Sequence, residues 1–297
     1  MSAKDEQASP LSAPFTQTEE ANEFQRILQK DFLPSQRESV FGTAEKLIEI
    51  AKARPSLIHE DSSETLQAVI ADLDKRISQQ LNKVLHHQEF QALEGSWRGL
   101  DHLVSNTESG AMLKLKVLDV SKAELGNALR AGAAWDQSAI FKKIYGEYDK
   151  PGAYPFGCMI GDYSFDNSPR DISILEGMAK IGAASHCPFI AAAAPRLLGL
   201  ESWERVNDRR DIATIFQTPD YARWNSLRQS DDARFLGLTL PRFLARDPYS
   251  ERTVHSEPGQ FVFEEEVQGA DHSKYLWANA AYAMGANIAK AFALYGW

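Results

Sequence analysis

The sequence predicts an α/β fold: a mixed sheet flanked by helices, preceded by N-terminal helices that include one long amphipathic helix. Three observations carry this. Apolar residues recur at helical spacing from Glu64 to Phe90, with Leu66, Ile70, Leu73, Ile77, Leu81 and Val84 on one face. Short apolar or alternating runs, strand-like, then alternate with helical segments as far as Leu240. A last apolar stretch, Asp271 to Tyr295, has the length of a helix.

Taken in order, residues 1–15 are Ser, Ala, Pro and Gln with little apolar content and read as a disordered lead. Thr16 and Glu19 fit a capping box, and Phe24, Ile27, Leu28 and Phe32 follow at helical spacing until Pro34 ends the run. This makes 16–33 a separate helix. Residues 34–60 are a linker and a second helix, Val40–Ala53, closed by Arg54 and Pro55. From 61 onward one α/β domain runs to 297. Its long first helix would measure roughly 40 Å at 1.5 Å per residue.

Met112–Leu118 alternates, with Leu113, Leu115 and Val117 on one face and Lys114 and Lys116 on the other, as in a half-buried strand. Ser121–Arg130 reads as a helix with Ser121 and Glu124 at its start, and Ile140–Tyr148 as another. Phe156–Ile160 is a short strand after Pro155. Ser168 and Pro169 open a helix to about Ala184, and Pro188–Ala193 is a buried strand. Asp208–Phe216 and Pro219–Leu227 are short helices, the second capped by Thr218. Phe235–Leu240 is a strand, and in Phe261–Val267 the rings of Phe261 and Phe263 point inward.

Composition narrows the function. The 41 acidic and 32 basic residues give a net charge of −9, which argues against broad binding to nucleic acid or anionic membrane. The longest apolar run, Pro188–Pro195, falls far short of the ~20 residues a membrane helix needs. The first residues lack the basic start and apolar stretch of a secretory signal. Two cysteines, Cys158 and Cys187, make neither a disulfide scaffold nor a cysteine zinc site. The expected setting is cytoplasmic.

Motifs for catalysis are lacking. No phosphate loop or dinucleotide fingerprint occurs among the 18 glycines. Gly95-Ser-Trp-Arg-Gly99 has its serine in the wrong place for a nucleophile elbow. His86 and Glu89 could share a helix face and hold a metal, but read more simply as a polar helix end. His59-Glu60 has no second histidine. His186 and Cys187 point to opposite sides of an extended segment, and Cys187 leads into an apolar strand. The most site-like cluster is Asp162, Asp166 and Asp171, around a loop between strand and helix where α/β proteins often bind ligands. Asp166, Asn167 and Ser168 are equally turn and cap residues. Glu264-Glu265-Glu266 reads as a solvated strand end that blocks edge pairing. No enzyme and no cofactor is expected.

Several stretches, taken together, are highly specific. They include Phe90-Gln-Ala-Leu-Glu-Gly-Ser-Trp-Arg-Gly-Leu100, Trp135-Asp-Gln-Ser-Ala-Ile-Phe-Lys-Lys-Ile-Tyr145 and Pro155-Phe-Gly-Cys-Met-Ile-Gly-Asp-Tyr163. Further along come His186–Pro195, Phe235–Ala245, Tyr275–Met284 and Phe292–Trp297. In order, over about residues 20–297, they resemble the large subunit of the type VI secretion contractile sheath, the TssC/VipB/EvpB family.

The resemblance implies a cytoplasmic bacterial sheath subunit that pairs with a small sheath subunit (TssB/VipA-like). Together they would form a tubule around an inner tube of hexameric rings (Hcp-like), attached to baseplate components. A Clp-type AAA+ ATPase would dismantle it, taking hold of the N-terminal helix. That handle maps to Phe24, Ile27, Leu28 and Phe32. Family members continue into a second, sheath-core domain, so the chain reads as the N-terminal, outer domain. The apolar residues Tyr275, Trp277, Tyr282, Phe292, Tyr295 and Trp297 are then expected to meet the second domain or the small subunit. Two other readings stand beside this: a truncated paralogue that binds sheath or ATPase without polymerising, and an α/β enzyme using the Asp162–Asp171 loop.

Overall fold

The computed structural model describes residues 62–130, 135–152, 154–208, 212–250, 261–267, 269 and 271–296, with isolated positions between 42 and 53. The expected disordered lead, the handle helix with Phe24, Ile27, Leu28 and Phe32, and Trp297 lie outside the described residues. The chain divides into two compact units, Met1–Ile77 and Ser78–Trp297.

In the first unit Gly42, Thr43, Lys46, Glu49, Ile50 and Ala53 are helical, all within the expected helix Val40–Ala53. Helix α1, Ser62–Leu85, starts here and is shorter than its periodicity suggested. Its last regular bond is His86 N–H to the Asn82 carbonyl, and His87 then turns extended at ψ 129° to begin α2, Gln88–Ser105. The expected single helix through Phe90 is therefore two.

The second unit is built on a parallel three-stranded sheet, in the order β1 (Met159–Phe165), β2 (Phe189–Ala193), β3 (Leu236–Thr239). Met159 aligns with Phe189, and Phe189 with Leu236. β1 starts three residues later than expected and takes in Gly161–Phe165, which had read as loop. A separate antiparallel pair joins β4 (Phe243–Leu244) to β5 (Trp277–Ala278).

Local signals place the helices. Ser121 and Glu124 form a reciprocal capping box at the start of α3, Lys122–Arg130: the Ser121 N–H donates to the Glu124 carboxylate at 2.8 Å, and the Glu124 N–H donates to Ser121 Oγ at 3.2 Å. Ser138 Oγ accepts from Phe141 N–H to cap α4, Ala139–Asp149. Ser168 and Pro169 open α5, Pro169–Ser185, and His186, left-handed at φ 52°, closes it. Two short helices follow, α6 (Ile212–Ile215) and α7 (Ala222–Gln229). Thr218 does not cap; its hydroxyl donates to the Ile215 carbonyl. The final helix, α8, is Ala280–Tyr295, capped by Asn279. The stretch from Asp271 to Asn279, expected to be helical, is instead a short turn and β5.

Alternation along the strands sends side chains to two layers. Phe165, Phe189 and Ala191 join a core with Leu125, Ile140, Ile144, Leu227 and the buried face of α5. On the other side Ile160 packs with Leu103, Tyr282 and Ala286, which sandwiches α8 between the sheet and α2. The crossing of α2 and α8 is close because α2 offers glycines. A Cβ on Gly99 would lie 2.3 Å from the Tyr282 ring, and one on Gly95 2.6 Å from the Trp277 carbonyl oxygen. Alanine gains about 1 kcal/mol of helix propensity over glycine. We nevertheless expect Gly95→Ala to lower stability, by about 1–3 kcal/mol, because a backbone carbonyl cannot swing aside. Urea titration checks this; a stabilised variant would mean that α2 and β5 do not pack this closely.

Two expected strands are missing. Met112–Leu118 belongs to neither ladder, and neither does Phe261–Val267, where Phe261 is exposed rather than inward.

Candidate functional site

The aspartate cluster is occupied by structure. Asp171 is buried at the first turn of α5, where Lys122 Nζ donates to its carboxylate at 2.7 Å and the Asp166 N–H at 2.9 Å. Asp166 in turn accepts from the Ser168 N–H at 2.8 Å. Desolvation raises the Asp166 carboxyl's pKa, but hydrogen bonds from Ser168 outweigh it and hold the group below its ordinary value. Asp162 is exposed on β1 and lies on the Tyr282 side of the sheet. The three do not converge.

The other catalytic candidates are also separated or buried. Cys187 is fully buried, and burial, with Cys158 nearby, pushes its thiol up to about 12. Among the described residues, no group of three or more His, Cys, Asp and Glu could hold a metal, and no helix is long and apolar enough to cross a membrane.

A polar cluster that sequence reasoning missed ties the second unit together. Glu265, expected in solvent, has a side chain only 2% exposed. It takes a bidentate pair of hydrogen bonds from Arg246 and accepts the Tyr249 N–H at 3.1 Å. Arg246 Nε also donates to Glu94 on α2 at 2.9 Å, and its guanidinium lies 4.2 Å over the Tyr249 ring. Arg98 completes the ring of contacts, donating to Glu94 at 2.7 Å and to the Tyr249 hydroxyl at 3.0 Å. His86 sits 3.3 Å from Glu265, and the neighbouring Glu266 N–H donates to Asn82. His86 thus serves a carboxylate far along the chain, not Glu89. Nothing local hinted at this: Arg246 stands in a stretch of mixed charge, with Arg242, Asp247, Glu251 and Arg252 around it.

Apolar surface is the second feature. On α1 the stripe Leu66, Ile70, Ile77, Leu81 and Val84 is exposed. On α2 the residues Phe90, Leu93, Trp97 and Val104 are too, with Trp97 66% in solvent. Phe90, Leu93 and Trp97 follow at three and four residues and Val104 two turns further on, opposite the buried Gly95, Gly99 and Leu103. Scattered exposed apolar residues are ordinary, but ordered stripes mark association surfaces.

The residues expected at a partner or second domain are placed differently from one another. Tyr282 is buried inside this chain against Gly99, and Trp277 is half-buried, its indole N–H donating to the His272 carbonyl at 2.8 Å. Tyr275 and Phe292 are half-buried. Tyr295 is exposed, beside Leu294 at the end of α8.

Set against known proteins, residues 67–297 match the family model VipB, described as EvpB/VC_A0108, tail sheath N-terminal domain. The chain belongs to this tail sheath family. It is also 49% identical over 288 residues to the type VI secretion system sheath protein TssC1 of Pseudomonas aeruginosa PAO1. That alignment takes in 95% of this chain and 57% of the relative, so the chain spans little more than half the relative's length. The glycines of α2, the Trp135–Tyr145 segment and the β1 and β2 strands all fall inside the region that matches the sheath family.

Proposed function

We propose that the chain is the N-terminal, outer part of a type VI secretion sheath large subunit and acts structurally, through protein contacts. The observation that carries this is the 49% identity to a sheath protein over nearly the whole chain. The exposed stripes of α1 and α2 support it, since a polymerising subunit needs apolar surface held ready for neighbours. In this reading the chain pairs with a small sheath subunit, and the pair assembles around an inner tube in the bacterial cytoplasm. Energy for contraction is stored in the polymer as a difference between two packings of its subunits. In this reading no catalytic task falls to this chain, in keeping with Asp171 tied to Lys122 and Cys187 buried. The test is co-expression of the chain with the small sheath subunit of the same secretion system. A stable complex by size-exclusion chromatography and light scattering is expected; two separate species would overturn the reading.

The N-terminal helix is, in the same reading, the handle for a Clp-type AAA+ ATPase. A helix of about 16 residues is marginal alone in water. Its stripe of Phe24, Ile27, Leu28 and Phe32 therefore gains by entering a groove on another protein. Ile27→Asp or Leu28→Asp should abolish binding of the chain to the ATPase N-terminal domain without changing its melting. Fluorescence anisotropy reads the first and circular dichroism the second. Binding that survives both substitutions would remove the handle from this helix.

A further inference from the structure

Arg242, just before β4, is a cation without a counter-ion. Its side chain is half-buried, and among the described residues it takes part in no hydrogen bond and no ion pair. Nε is shut off from solvent with nothing to donate to; the two Nη groups are not shut off in this way. A buried donor left unpaired costs stability, and such a group calls for a reason. Arg246, four residues on, shows the contrast: it is shared by Glu94 and Glu265.

What holds Arg242 is an aromatic platform. The guanidinium carbon lies 4.5 Å from the centre of the Trp277 ring. The indole is fixed in turn, by its N–H bond to the His272 carbonyl and by the place of Trp277 opposite Leu244 in the β4–β5 pair. The rings of His272 and Tyr275 stand 5.4 and 6.3 Å from that of Trp277, and all three residues are half-buried. A stacked, planar guanidinium presents its Nη edge in one direction. Burial pulls the group below its ordinary pKa, and the charge of Glu204 offsets this only in part. Glu204 itself is exposed, makes no ion pair with Arg242 and approaches His272 Nδ1 at 4.0 Å.

The chemistry selects the ligand. The two Nη groups of a fixed fork match the two oxygens of a carboxylate, and partial desolvation makes such a pair stronger than one at an open surface. Arginine, tryptophan and tyrosine are also the residues that carry most binding energy at protein interfaces. We propose that Arg242 on its Trp277 platform is a receptor for an Asp or Glu side chain of the small sheath subunit, with the rings of Tyr275 and His272 beside it. This rests on the sheath reading above, which makes that subunit the pairing protein. The unpaired arginine then destabilises the isolated chain and is satisfied only in the complex.

Arg242→Met tests both halves. It keeps a stem against the indole and removes the unpaired charge. The isolated variant should unfold at a urea concentration no lower than the parent. Its complex with the small sheath subunit should be about tenfold weaker, equivalent to 1.4 kcal/mol, by isothermal titration calorimetry. Added salt should weaken the parent complex more than the variant's. Arg242→Lys, which lacks the fork, should bind between the two. A Met variant that unfolds earlier overturns the proposal, since Arg242 would then hold this chain together. Binding as tight as the parent's overturns it as well and leaves the sheath reading intact; a sedimentation shift confined to the isolated chain would then assign the carboxylate to a second copy. If the parent itself forms no complex, the sheath reading fails, and the carboxylate receptor with it.

Discussion

Arg246→Ala should cost about 3–5 kcal/mol of stability, the range for removing one partner of a buried ion pair. The side chain of Arg246 is 8% exposed and is the cation shared by Glu94 and Glu265. Alanine leaves Glu94 with Arg98 alone, and Glu265 with the Tyr249 N–H and a histidine that is charged only when protonated. Two carboxylates would then face each other across a cavity. The penalty is a desolvation cost, so neutralising the acids should return much of it. The triple variant Arg246→Met, Glu94→Gln, Glu265→Gln should be more stable than Arg246→Ala by urea titration. If Arg246→Ala unfolds within about 0.5 kcal/mol of the parent, the cluster is a surface ion pair in effect.

The same cluster gives an acid dependence whose sign follows from Glu265. Burial raises its carboxyl's pKa, but the hydrogen bond from Arg246, the Tyr249 N–H and the charges of Arg246 and His86 pull it below the ordinary 4.5. A folded value below the unfolded one means that the unfolded chain takes up the proton first as pH falls. The stabilisation is complete above about pH 4.5 and is lost as pH drops through the lower, folded value. Urea midpoints from pH 3 to 7 should therefore fall at the acid end, and less steeply for Glu265→Gln.

Phe165→Ala should be as damaging, at about 3–5 kcal/mol. Phe165 is fully buried at the end of β1, edge-on to Tyr163 and Phe189 with ring centroids 6.2 Å apart in each case. Lys122 Nζ lies 4.6 Å from its ring centre while donating to the Ser164 carbonyl and Asp171. Loss of the ring thus opens a cavity under the sheet and removes the surface on which the Lys122–Asp171 pair rests. The urea midpoint should fall with the slope unchanged. Phe165→Leu, which keeps most of the volume, should cost less than half as much. Equal losses for the two would place the effect in the aromatic contacts and not in the cavity.

Much of the α/β order was legible residue by residue. The Ser121–Glu124 box and Ser168 with Pro169 begin helices where the serine side chains meet N–H groups three positions on. The apolar run into β2 was equally plain, since every residue of Phe189–Ala193 is buried. Less was legible at the candidate surfaces. The stripe of α1 was visible, but its exposure was not, because periodicity says which residues share a face and not what covers it. Glu265 was hidden among three glutamates; only its meeting with Arg246, nineteen positions away, separates it from its neighbours. The break at His87 was hidden likewise, because Asn82 and His86 are held by Glu266 and Glu265, far along the chain.

The sequence by itself determined the capped helix starts, the acidic, cysteine-poor composition and the sheath family. Each rests on interactions within about four residues, or on a pattern of residue types that survives without coordinates. The tertiary structure alone decided which strand-like segments become strands and which charges are buried. β1 and β2 have neighbours to bond with, whereas Met112–Leu118, as strongly alternating, has none among the described residues. A ladder bond or a buried ion pair needs a second group brought from far along the chain. Its free energy therefore belongs to the pair, and neither residue's own neighbourhood records it.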